Sequence, residues 1–106
     1  MMFKLLAGSL LYIGLLSLCQ AAEQNDYTRT VSRFGSQLPA TGYFYIEGTW
    51  TLPCANGVMY IDLSTAAGKA MWASILVTKK TGGTIYWINY SINSSNLCNA
   101  NLIEVQ

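Results

Sequence analysis

The 106-residue chain predicts a β-rich α+β domain of five strands, with one helix between the third and the fourth. Three features carry that expectation. Apolar and polar residues alternate in short runs bounded by Gly, Pro and Asn, as half-buried strands require. One longer segment, Ala66 to Lys80, has helical periodicity and stops at Gly82-Gly83. Residues 1–21 have the order of a secretory signal, which leaves 22–106 as a single domain.

The signal is read from its parts. Met1-Met2-Phe3-Lys4 supplies a positive charge, Leu5 to Leu18 is nearly all apolar, and Cys19-Gln20-Ala21-Ala22 precedes the polar Glu23-Gln24-Asn25-Asp26. Cleavage after Ala21 places Cys19 and Ala21 at the two small-residue positions. The apolar run is shorter than the ~20 residues that span a bilayer, so no stable membrane span is expected. Leu16-Ser17-Leu18-Cys19 also resembles a lipid-attachment motif, although Leu18 is bulky for the residue before the cysteine. The chain is expected to be periplasmic or secreted. In that oxidising space Cys54 and Cys98 are expected to pair, a crosslink of ~4 kcal/mol by chain-entropy arithmetic.

The first strand is expected over Tyr27 to Phe34, followed by a turn-rich loop from Gly35 to Gly42. Tyr43 to Leu52 is the second strand. Phe44, Ile46, Gly48, Trp50 and Leu52 share its core face, with Tyr43, Tyr45, Glu47, Thr49 and Thr51 opposite. Gly48 in mid-strand marks a bulge or bend. Asn56-Gly57 signals a tight hairpin, and Val58 to Leu63 returns with Met59, Ile61 and Leu63 inward. Ser64 or Thr65 caps the helix, and Lys79 and Lys80 suit its negative end. Thr84 to Ile92 is a strand apolar on both faces, so its inner face is left open. Leu102 to Val105 is the last strand.

This order of elements is that of the five-stranded OB barrel. There the first three strands form a meander, the fourth runs antiparallel to the first, and the fifth runs parallel to the third. The loops carrying Cys54 and Cys98 then share one end. An open α+β sheet with one packed helix uses the same elements.

Beyond the signal, Arg29, Arg33, Lys69, Lys79 and Lys80 balance Glu23, Asp26, Glu47, Asp62 and Glu104, and the chain has no histidine. No basic stripe exists for nucleic acid, and no dense carboxylate run for a metal. No catalytic residue and no cofactor are assigned. Glu47 and Asp62 lie on one hairpin, on the face away from the core, where they are placed to approach each other for acid–base work. The plainer reading makes them solvated strand positions. Tyr43, Tyr45 and Tyr60 share that face, with Tyr86 or Trp87 as further members. Rings with polar tips suit sugar faces or protein partners, and a stabilising cross-strand ladder is the alternative. Tyr43, Tyr45, Glu47, Tyr60 and Asp62 form the candidate ligand-binding set.

On the helix, Ala67, Ala70, Met71, Ser74, Ile75 and Thr78 make the inward stripe. Trp72 and Leu76 sit well round from it, which widens the apolar arc beyond one contact. Either they lie under a strand edge or a second copy of the chain covers them, which makes them the candidate oligomer interface.

The signal, Tyr43-Phe44-Tyr45-Ile46-Glu47-Gly48, Cys54, the Met71-Trp72 pair and Cys98 together resemble the small exported bacterial OB-fold proteins typified by B subunits of pentameric toxins. The resemblance implies glycan binding by barrel faces or loops, and helices packed around a central pore. The expected function is an exported binding module for a glycan or protein, in ring-forming oligomers and without enzymatic activity. A monomeric periplasmic interaction or inhibitor module is the alternative, and a small hydrolase the third.

Overall fold

A computed structural model describes residues 22–106. The expected signal, its cleavage site and Cys19 lie outside the described residues. Within them run β1 (Ala22–Arg29), β2 (Val31–Gln37), β3 (Thr41–Ile46), a 3-10 turn (Ala55–Gly57), β4 (Met59–Asp62), α1 (Ala66–Thr81), β5 (Ile85–Ile92) and β6 (Cys98–Val105). All six strands belong to one open sheet, ordered β1-β5-β6-β4-β3-β2.

Six strands replace the five expected, because the first is broken. Only Thr30 separates β1 from β2, yet they form the two edges of the sheet. β1 pairs antiparallel with β5, and β2 antiparallel with β3. Thr28 takes a left-handed φ of 54° and drops out of the β1–β5 register. The two strands follow one another end to end, so no ladder joins them and the sheet does not close on itself.

Other pairings follow the expected plan. β2, β3 and β4 form an antiparallel meander. β4 and β6 run parallel, with Met59 opposite Cys98. The Cys54–Cys98 disulfide forms at this point, with the Cα atoms 5.4 Å apart.

β3 ends at Ile46 rather than Leu52. Gly48 has φ 80°, a conformation that ends an extended run and that glycine adopts without strain. Trp50 still enters the core, its ring 5.9 Å from Phe44 and 5.3 Å from Tyr90, with Nε1–H donating to the Gly57 carbonyl at 3.0 Å. Asn56-Gly57 therefore closes no two-residue hairpin. It lies in the 3-10 turn of a longer connection, and pairing begins at Phe44 and Met59.

Thr65 caps α1 by accepting from Gly68 N–H at 2.9 Å. Gly82 ends it in a left-handed cap, φ 72°, just past Lys79 and Lys80. Its buried positions are Gly68, Ile75 and Thr78. Ala67 and Ala70 of the expected stripe are exposed, because Gly68 sets the backbone of α1 against the Asp62 carbonyl and turns the inner face toward itself.

The structure settles the inner face of β5. Ile85, Ile88, Tyr90 and Ile92 are buried, while Tyr86 is exposed. A register shift between Ile85 and Trp87 inserts one residue, so the alternation changes phase there. The centre of the core is Phe44, Met59, Ile61, Ile75, Ile85, Ile88, Tyr90 and Cys98, with Val31, Ile46, Trp50 and Ile92 packed around it. β6 also begins at Cys98, four residues before the expected start at Leu102.

Candidate functional site

Strand alternation puts Tyr43 and Tyr45 on the face of β3 opposite Phe44 and Ile46. Tyr60 of β4 stands across from Tyr43, and Arg33 of β2 across from Tyr45. The two rings of β3 meet edge to face at 6.3 Å. Arg33 lays its guanidinium over the Tyr45 ring, 4.0 Å from the centroid, an attraction between a cation and the ring's negative face. Tyr43 lies across β2 because Gly35 has no side chain there: a Cβ would fall 2.5 Å from the Tyr43 hydroxyl. Arg33, Phe34, Tyr43 and Tyr45 line a surface cleft of about 210 Å³.

The two carboxylates do not join this group as a pair. Asp62 pairs with Thr41 at one end of β3, whereas Glu47 follows its other end. At ~3.3 Å per residue the interval is about 20 Å, so the acid–base pair considered for hydrolysis is not formed. Asp62 instead turns the chain into α1, accepting from Ser64 N–H at 2.9 Å and from its hydroxyl at 2.6 Å. Those hydrogen bonds hold its carboxyl below the ordinary value. Glu47 is exposed, and its N–H donates to the Thr30 carbonyl at 2.9 Å.

Trp72 and Leu76 are both half-buried. Trp72 meets Phe34 edge to face at 5.8 Å. Its ring also covers Gly42, where a Cβ would approach it to 2.7 Å. Trp72 thus packs on β2 and β3 of its own chain, the strand-edge arrangement.

Arg33 is missed by the sequence reading, since an arginine on an alternating strand looks like any solvated position until its partner across the sheet is known. Asp26 is missed too. Asp26 is buried, and its Oδ2 accepts from Tyr90 O–H at 3.0 Å and Thr51 N–H at 3.1 Å, with Arg29 Nη2 at 3.5 Å. Tyr90 Oη in turn accepts from Leu52 N–H at 3.1 Å. This cluster ties β1 and β5 to the connection after β3 and shares no residue with the cleft.

Among the described residues no group of three or more His, Cys, Asp and Glu side chains is placed to hold a metal, and no helix is long and apolar enough to cross a membrane. No protein-family model, curated protein or solved structure matches the chain.

Proposed function

We propose that the protein is an exported binding module, periplasmic or secreted, that recognises a glycan or protein ligand through its tyrosine face. The observation that carries this reading is the cleft of Arg33, Tyr43 and Tyr45. It offers the half-buried rings and phenol tips of Tyr43 and Tyr45, the exposed ring of Phe34, and a cation that makes no ion pair among the described residues. Such a site suits a ligand with a flat apolar face and an acidic group, whether sugar or peptide. Tyr60 extends the same face, and Asp62 and Glu47 lie at its two ends.

The strand connectivity supports an OB-like architecture behind that face. On this reading β1 and β2 are the two halves of one bent first strand, each half pairing at a different edge. The meander, the antiparallel β1–β5 pair, the parallel β4–β6 pair and the helix between β4 and β5 all fit. The resemblance to toxin B subunits rests on the same ground. The monomeric alternative is favoured by one observation, the cover that Phe34 and Gly42 give Trp72 within the chain.

A glycan array probed with the wild type, Tyr45→Ala and Arg33→Ala tests the reading. Wild-type signal on acidic glycans that both variants lose, while their melting temperatures hold, is the expected result. A silent array removes the glycan version and leaves a protein ligand.

A further inference from the structure

The outward face of β1, β5 and β6 carries a row of side-chain amides, Asn25, Asn89 and Asn101. Asn25 Oδ1 accepts from Trp87 Nε1–H at 2.9 Å and from Asn89 Nδ2 at 3.0 Å. Asn89 Oδ1 accepts from Asn101 Nδ2 at 3.0 Å, and the same nitrogen donates to Ser91 Oγ at 2.7 Å. An indole N–H only donates, so Trp87 fixes which way the Asn25 amide points. That choice propagates: Asn89 must present its nitrogen to Asn25 and its oxygen to Asn101.

The network leaves part of its hydrogen-bonding capacity unused. Each primary amide has two N–H donors and an oxygen with two lone pairs. Among the described residues, both Asn25 Nδ2 hydrogens, one Asn89 Nδ2 hydrogen and the Asn101 Oδ1 acceptor have no side-chain or backbone partner. The row therefore holds donors at one end and an acceptor at the other, in fixed orientations and open to water.

Aromatic surface adjoins the donor end. Tyr27 stacks on Trp87 with centroids 6.5 Å apart and planes 12° from parallel, and meets Tyr86 edge-on at 6.3 Å. Tyr27 and Tyr86 are 52% and 45% exposed. The charges around the row are acidic or already paired. Glu23 stands opposite Ser91, and Glu104 opposite Trp87. Arg29 is held by Asp26 and by the Tyr27 carbonyl.

We propose that this face is a second binding site, taking an uncharged saccharide. A pyranose ring has an apolar face for the Tyr27–Trp87 platform and edge hydroxyls that both donate and accept, as the two ends of the row require. Glu23 and Glu104 disfavour an anion. From Trp87 to Ser91 the row runs about 13 Å along β5, which gives room for more than one ring. The site uses strands other than those of the tyrosine cleft and does not depend on it.

The test is a panel of uncharged and acidic oligosaccharides titrated into the purified protein, with Asn25→Asp, Asn101→Ala and Arg33→Ala alongside. Asn25→Asp keeps both bonds accepted at Oδ1 and deletes the two free donors. The expected result is an uncharged oligosaccharide bound by the wild type and by Arg33→Ala, and weakened about tenfold or more by Asn25→Asp and by Asn101→Ala. Unchanged melting temperatures exclude unfolding as the cause. The proposal is overturned if no uncharged oligosaccharide binds, or if both amide variants bind as the wild type does. Binding lost in Arg33→Ala but kept in Asn25→Asp assigns the ligand to the tyrosine cleft, overturning this site and leaving the first reading intact.

Discussion

Asp26 and Tyr90 form a buried acid–phenol contact that makes stability depend on pH at both extremes. Burial pushes the Asp26 carboxyl up, but hydrogen bonds from Thr51 and Tyr90 and the charge of Arg29 outweigh it and leave the group below its ordinary value. A carboxyl depressed in the folded state adds stability above its unfolded pKa of about 3.9, and that stability is lost as pH falls through the folded value. Tyr90 is pushed up to about 12, first by burial and then by Asp26, against the opposing Leu52 N–H. Its contribution is complete below the unfolded pKa of about 10 and is lost as pH rises toward 12. Urea midpoints measured across pH should therefore fall on both sides of a plateau. Asp26→Asn should flatten the acid limb and cost about 1–3 kcal/mol at neutral pH, by leaving donors without their charged acceptor. An acid limb of unchanged slope in Asp26→Asn would show that other carboxylates set it.

At the level of elements, Gly68 gives a test in which two principles predict opposite signs. Glycine inside a helix costs about 1 kcal/mol against alanine, so helix propensity alone makes Gly68→Ala stabilising. Packing says the reverse, because the added Cβ would collide with the Asp62 main-chain carbonyl, a group that cannot swing aside. Gly68→Ala should lose about 1–3 kcal/mol net in urea unfolding, the usual cost of overpacking. A gain would mean that the turn from β4 into α1 yields easily. Gly68 also shows what a sequence hides. Thr65, Gly82 and the lysines mark the ends of α1 legibly, because caps are local chemistry. The face that α1 buries is misread from periodicity, because a glycine looks like a helix defect rather than a contact. Phe44, Met59 and Ile61 are legible as core from alternation alone. In β5 a single inserted residue changes the phase of that alternation. Between β1 and β2 the chain breaks around Thr28 and Thr30, where no glycine or proline signals it, and the two halves of one apparent strand go to opposite edges. The tyrosines of the cleft follow from strand alternation, whereas the Arg33 cation over Tyr45 depends on a cross-strand register that the sequence does not display.

On the scale of the whole molecule, a domain of this size buries roughly 60–65% of its unfolded surface and is marginal without a staple. Cys54–Cys98 ties the connection after β3 to the start of β6, beside the single parallel pairing. Reduction should lower stability by about 4 kcal/mol, read as a large drop in melting temperature with added dithiothreitol. A melt unmoved by reductant would mean that the core alone holds the fold. The association state tests where α1 belongs. Trp72 is seated against Phe34 and Gly42, so a ring built on that tryptophan would have to share it with its own sheet. The most exposed large apolar side chain of α1 is instead Val77, at 58%. Light scattering should therefore return a monomer mass for the wild type. Trp72→Ala should lose about 3–5 kcal/mol of stability, the range for truncating a large aromatic in a packed site, with its mass unchanged. A wild-type oligomer that Trp72→Ala dissociates, with little change in the melting of the monomer, would return Trp72 and Leu76 to an interface between copies and reverse the assignment made from the packing.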